Sequence, residues 1–209
     1  MVIHAGDVAL LGGELCLDFV NTIDYRDTDL ARELLVDYPA LVLWSQHLDI
    51  LTDGQARRLL QLAQQSPTEA ALTLEDAIVL REAICRIFAA IARGRSPDTG
   101  DVRILNGAVS RTFAQLRVLP SAGGFAWDWA EDDQPLKRML WPVVRSAAEL
   151  LTSGELPLVK QCAGCGWLFV DRSRNHSRRW CDMRFCGNRA KARRFYARQR
   201  SLDLQATDG

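Results

Sequence analysis

Cys162-Ala163-Gly164-Cys165-Gly166-Trp167-Leu168-Phe169-Val170, followed, with fifteen residues between Cys165 and Cys181, by Cys181-Asp182-Met183-Arg184-Phe185-Cys186-Gly187-Asn188-Arg189, decides how the C-terminal part of this chain folds. Two close cysteine pairs, one after a strand-like run and one at the start of a basic helix, can close a tetrahedral Zn²⁺ site. The segment is too short and too polar to fold on an apolar core alone. Metal binding would supply its folding energy, of order 10–16 kcal/mol apparent for structural zinc. Leu156–Gln161 reads as a strand feeding the first pair, where small Ala163, Gly164 and Gly166 let backbone N–H groups turn toward the sulfurs. Trp167–Val170 returns as a second strand, with Leu168 and Val170 on one side and Trp167 and Phe169 on the other. A helix then runs from about Asn188 through Ser201. Knuckle, hairpin and a helix carrying the last ligand describe a treble-clef-like finger. Cys162, Cys165, Cys181 and Cys186 are thus the expected ligands of one structural zinc. Rubredoxin-like iron is the alternative use of four cysteines, but the basic surround suits polyanion binding better. His176, between the pairs, is expected to contact solvent or phosphate, and Cys16 and Cys85 to be buried packing residues.

The formal net charge of zero conceals an asymmetry. Residues 160–200 hold twelve Lys or Arg against only Asp171 and Asp182, whereas residues 1–159 hold 14 basic and 22 acidic side chains. A basic module joined to an acidic one reads as a polyanion-binding end on a separate body, or as two halves that dock and cancel. On the terminal helix, Ala192, Phe195 and Tyr196 share one arc that should pack on the finger. Opposite lie Ala190 and Ala197, flanked by Arg189, Arg193 and Arg200 on one side and Lys191, Arg194 and Arg198 on the other. Small residues between rows of cations would let the helix approach a phosphate backbone. Arg172, Arg174, Arg178 and Arg179 in the preceding loop could extend that surface, and Arg in preference to Lys favours bidentate phosphate or guanine contacts.

Upstream, the pattern is mainly α. Gly12–Thr22 is apolar, with Asp18 and Asn21 on one helical face. Asp37-Tyr38-Pro39 opens a helix to Leu51, and Thr52 or Asp53 caps one through Gln64. Ser66-Pro67-Thr68-Glu69 has the form of a capping box opening a long helix that stops near Gly94. Another helix runs from Asp98–Gly100 to about Leu116. Leu116–Leu119 and Gly124–Trp129 form a small hairpin, and Gln134–Leu151 is a helix kinked at Pro142. The expected division is a helical domain over 1–155 and the finger over 156–209. With 48% hydrophobic residues the chain can pack a core, yet its apolar runs of about five residues fall far below the roughly 20 that cross a bilayer. The absence of a basic N-terminal region, and six cysteines without a secretion signal, point to a reducing cytoplasm, where paired cysteines more often bind metal than form disulfides.

The body carries no Ser-His-Asp set, no HExxH and no phosphate-cradling glycine loop, and four thiolates would leave zinc no open position, so enzyme chemistry is the weaker expectation. Asp18 and Asn21, with Trp44 as an aromatic wall, are candidates for a polar spot in an apolar effector pocket. Equally, the two polar groups could cap or cross-link neighbouring helices while Trp44 serves the core.

The quoted cysteine segments, with Asp171, Ser173-Arg174-Asn175, Arg179-Trp180 and Cys186-Gly187-Asn188-Arg189-Ala190-Lys191, resemble the CGNR zinc finger. Gly13-Glu14-Leu15-Cys16-Leu17-Asp18-Phe19-Val20-Asn21-Thr22 and Leu41-Val42-Leu43-Trp44 resemble the ABATE domain that accompanies it. Such proteins are described as stress-induced transcription regulators of bacteria. The resemblance implies a DNA-binding finger and a helical domain that senses a small molecule or mediates assembly, with an RNA- or protein-docking finger as the alternative. The oligomeric state is not written in the sequence.

Overall fold

The computed structural model describes residues 5–26, 28–130 and 135–207, with side chains as far as Gln199. The chain runs through α1 (Leu15–Val20), β1 (Ile23–Asp24), β2 (Arg32–Glu33), α2 (Tyr38–His47), α3 (Asp53–Gln65), α4 (Pro67–Ala92) and α5 (Thr99–Phe113). There follow β3 (Leu116–Ser121), β4 (Gly124–Trp129), α6 (Trp141–Thr152), β5 (Val159–Gln161), β6 (Leu168–Val170) and α7 (Asn188–Thr207). Among the described residues there are three antiparallel strand pairs, each formed by chain neighbours. Among the described residues no helix is long and apolar enough to cross a membrane.

Local chemistry sets most boundaries. Asp37 accepts the Ala40 N–H at 2.7 Å and starts α2, which ends before Leu51 because Asp49 turns through a left-handed backbone at φ 55°. Thr52 and Gln55 form a reciprocal cap on α3, and Asp98 accepts the Gly100 N–H at 2.7 Å to start α5. Ser66 makes no side-chain cap at α4, although Glu69 stands three residues on. The same residue closes α3, and its φ −131° and ψ 65° serve that turn. Before α6, Pro135–Leu140 is a 3₁₀ turn, so Pro142 sits in the first turn of the helix, where its missing N–H costs nothing, and does not kink it. Gln134 lies outside the described residues. Leu156–Leu158 is likewise a 3₁₀ turn holding Pro157, which shortens the expected strand to Val159–Gln161.

The central helix α4 packs against α1, α2, α3, α5 and both finger strands. Leu17, Phe19, Ile84, Leu168 and Phe169 are all fully enclosed, so one apolar core runs without a break from the helices into the finger. Arg81 is buried in it at 1% exposure. Its guanidinium grips Glu33 at 2.6 and 2.7 Å, Glu82 at 3.0 Å and the Thr22 hydroxyl at 3.0 Å. A buried charge survives only with such complete pairing, and this one ties β2 to α4 close to where the finger docks.

Candidate metal centre and nucleic-acid interface

The metal site is built by three local devices. β5 and β6 pair Val159 with Val170 and Gln161 with Leu168, which brings the knuckle between them to one end of the hairpin. Gly166 turns that knuckle at φ 77°, a conformation that favours glycine. Asp182 then caps the turn Met183–Gly187, accepting the N–H groups of Arg184 at 2.6 Å and Phe185 at 3.3 Å, and so delivers Cys186 to the start of α7.

The four buried thiols of Cys162, Cys165, Cys181 and Cys186 lie within 4.8 Å of one another. Cys165 to Cys181 is 3.6 Å and Cys181 to Cys186 is 3.7 Å. Zn–S bonds of about 2.3 Å in a tetrahedron require sulfurs about 3.8 Å apart, and a disulfide about 2.0 Å. The spacing fits the ion and excludes a disulfide. Hydrogen bonds with Cys165 and Cys181 pull the Cys162 thiol below its ordinary range, while their bonds to Cys162 push Cys165 and Cys181 above theirs. Four adjacent thiols cannot all ionise unaided; a dication allows it. Two donors already face the sulfurs: the Gly164 N–H at 3.4 Å from Cys162 and the Arg189 guanidinium at 3.3 Å from Cys186. Such outer bonds spread the thiolate charge. His176 is no ligand; its Nδ1 bonds the Asp171 carbonyl at 2.8 Å.

β6 is clasped to the helices along its free edge. The Asn21 amide donates to the Leu168 carbonyl at 2.9 Å and accepts the Leu168 N–H at 3.0 Å. The Val170 N–H donates to the Gly12 carbonyl at 2.9 Å, and the Gly12 N–H to Asp18 at 2.8 Å. A side chain at Gly12 would meet the Asp18 N at 2.8 Å, so only glycine permits this approach. The Trp167 indole donates to the Ile23 carbonyl at 2.9 Å. Asn21 therefore bonds the finger strand directly, and Asp18 holds the Gly12 loop that bonds it; in these bonds neither links one helix to another. Burial pushes the Asp18 carboxyl up to about 6, against the pull of the Gly12 and Leu11 amides. Trp44 is wholly enclosed with its ring 5.2 Å from Phe19.

The expected cations fall into two groups. Arg172 is committed to the helical part, donating to the Gly13 carbonyl, Glu14 and Glu155. Arg178 lies over Phe169 at 4.8 Å and donates to the Cys181 carbonyl. Arg189 lies over Tyr25 at 4.5 Å. Arg174, Arg179, Lys191, Arg193, Arg194 and Arg198 are exposed, and the Arg200 side chain lies outside the described residues. The expectation that Ala192, Phe195 and Tyr196 pack on the finger fails. Phe195 is 59% and Tyr196 65% exposed, their rings touching only edge to face at 5.6 Å. Ala190, expected on the open face, is instead buried. The finger is too small to cover more than the first turn of α7, and every residue from Lys191 to Gln199 stands in solvent.

Asp171 was not among the expected site residues. Fully buried, it accepts from Lys160 at 2.8 Å, the Ser173 hydroxyl at 2.6 Å and the Arg178 N–H at 2.9 Å. Burial pushes its carboxyl up, and these donors outweigh that and hold it below the usual range. Its signal in the sequence is a lone acid two residues before Ser in a basic loop, the pattern of an Asx turn.

Two family models match the chain. Residues 13–154 match ABATE, described as "Putative stress-induced transcription regulator", and residues 159–199 match the CGNR zinc finger. No curated protein matches it. The finger model spans all four clustered cysteines, and the ABATE model spans the clasp residues Asp18 and Asn21. The chain belongs to the ABATE family and ends in a CGNR zinc finger that holds one structural zinc.

Proposed function

We propose that this protein is a DNA-binding transcription regulator whose contact surface is the projecting half of the finger. The observation that carries this reading is α7 between Lys191 and Gln199. It is exposed on all sides and bears Lys191, Arg193, Arg194 and Arg198, and the sequence holds no acid between Asp182 and Asp203. A solvated helix ordinarily mixes acids with its bases; an all-cationic one suits a phosphate backbone. Arg174 and Arg179 extend the surface, whereas Arg172 and Arg178, though exposed, are engaged by Glu14 and Glu155 and by Phe169 and the Cys181 carbonyl.

Binding of the zinc-loaded protein to duplex DNA, RNA and heparin, measured by anisotropy across salt, tests the reading. About six phosphate contacts give a log-log salt slope near −5. Arg193→Glu and Arg198→Glu should each weaken DNA binding about tenfold while zinc stays at one per chain. The exposed Phe195 and Tyr196 favour a second reading, in which the helix stacks on unpaired bases of RNA. A preference for RNA over duplex DNA, or equal binding to heparin, would overturn the regulator reading.

A further inference from the structure

A cavity of about 470 Å³ opens on the seam between the finger and the N-terminal segments Asp7–Leu11 and Asp24–Tyr25. Its size falls within the roughly 300–1,000 Å³ of small-molecule sites. Val8 and Leu11 form an apolar floor, and Tyr25, Trp167 and Phe185 stand as aromatic walls. Phe185 is 58% exposed at the rim, an orientation that gains nothing from the protein's own core. The turn that places Tyr25 runs through φ 52°, held by the neighbouring antiparallel pair Ile23–Glu33 and Asp24–Arg32.

The charges of the cavity are unbalanced. Asp7 and Asp24 line it, and so do Cys165, Cys181 and Cys186. Four thiolates on one dication keep a net negative charge, so that wall is anionic when zinc is bound. The only cation among the described lining residues is Arg189. It already occupies the place a cationic guest would take, with its guanidinium 4.5 Å from the Tyr25 ring centre. Aromatic faces beside carboxylates are the recognised surroundings of organic ammonium groups.

We propose that this seam cavity binds a small organic cation with an aromatic or alkyl frame, and that the guest displaces Arg189 from the face of Tyr25. Arg189 also donates to Cys186 and sits in the first turn of α7. A guest that takes its place thus acts on the seat of the helix to which DNA contact is assigned. That regulatory consequence rests on the DNA-binding reading; the binding itself does not.

Benzyltrimethylammonium, benzyl alcohol and benzoate are suitable probes, added to full-length zinc-loaded protein without DNA. The readout is the NMR shift of the indole N–H of Trp167, a wall residue whose N–H bonds the Ile23 carbonyl. The ammonium should give a saturable shift, the alcohol a weaker one and benzoate none. Asp24→Asn should weaken ammonium binding about fivefold. Arg189→Gln, which removes the competing cation, should tighten it by a similar factor. Where Arg189→Gln loses zinc, Tyr25→Leu takes its place and should abolish binding with the metal retained. Equal response to all three probes, no response, or ammonium binding unchanged in Asp24→Asn would overturn the proposal. A DNA affinity that does not move on saturation with the ammonium would overturn the link to α7; absence of any DNA binding would instead count against the reading of function and leave the site standing.

Discussion

The two halves of the finger differ more from each other than the finger differs from the helices. From Val159 to Asp171 it is part of the main core: β6 is enclosed on both faces, its free edge is bonded to Asn21 and Gly12, and Asp171 is fully buried. From Lys191 to Gln199 nothing is enclosed. Two ligands, Cys162 and Cys165, belong to the embedded half, while Cys181 and Cys186 lead to the projecting one. The metal is therefore the joint at which a packed region hands over to an unpacked one. Apolar burial and the metal both hold the first half; the second has the metal, the Arg189–Tyr25 contact and little else to seat its helix.

Removing zinc should separate the two halves most sharply. With metal chelated under reducing conditions, amide exchange should rise by orders of magnitude in Met183–Gln199, since an isolated helix of this length and composition is marginal in water. The amides of β6 and α4 should keep most of their protection. The lost metal is worth about 10–16 kcal/mol to the folding of such a unit. If α4 and α1 exchange as fast as α7 after chelation, the embedded half draws its order from the metal too, and the contrast collapses.

The second test acts on the clasp. Asn21→Ala leaves both the N–H and the carbonyl of Leu168 buried without their partner, a cost of about 2–4 kcal/mol. Chemical denaturation should report that loss, and zinc content should stay at one per chain because Asn21 bonds Leu168 and none of the four cysteines. A loss below about 0.5 kcal/mol would mean that water reaches this edge and that the finger is less embedded than its burial implies.

What the sequence made legible follows the same division. The ligand set was readable because Cys162/Cys165 and Cys181/Cys186 are close in the chain, and thiolate chemistry at that spacing has few other uses. The caps at Asp37, Thr52 and Asp98 were readable because each acts within three residues. Ser66-Pro67-Thr68-Glu69 misled because one residue had to close α3 and open α4 at once. The clasp was hidden because Asn21 and Leu168 stand 147 residues apart. Alternation in Trp167–Val170 implied one face to each side of a sheet, but said nothing of helices covering both. The arc of Phe195 and Tyr196 implied a packing partner that a finger of this size does not have.

The smallest effect separates the halves by pH. Asp18 fixes Gly12, and Gly12 receives the Val170 N–H, so its ionisation bears on the embedded half alone. Burial raises its carboxyl to about 6 in the folded chain against an ordinary value of 3.8, with Glu14 adding to the rise and His47 opposing it. The folded state thus holds a proton that the unfolded state has released, and the stabilising contribution of neutral Asp18 is lost as pH rises through about 6. Between pH 5 and pH 7 this amounts to about 1 kcal/mol. Asp18→Asn keeps the acceptor for Gly12 and removes the titration. Wild type should therefore gain about 1 kcal/mol on that variant as pH falls from 7 to 5, with the gain visible in β6 exchange and absent from α7. A flat difference between the two proteins would show that Asp18 is solvated enough to titrate normally, and that the Gly12 loop holds β6 without it.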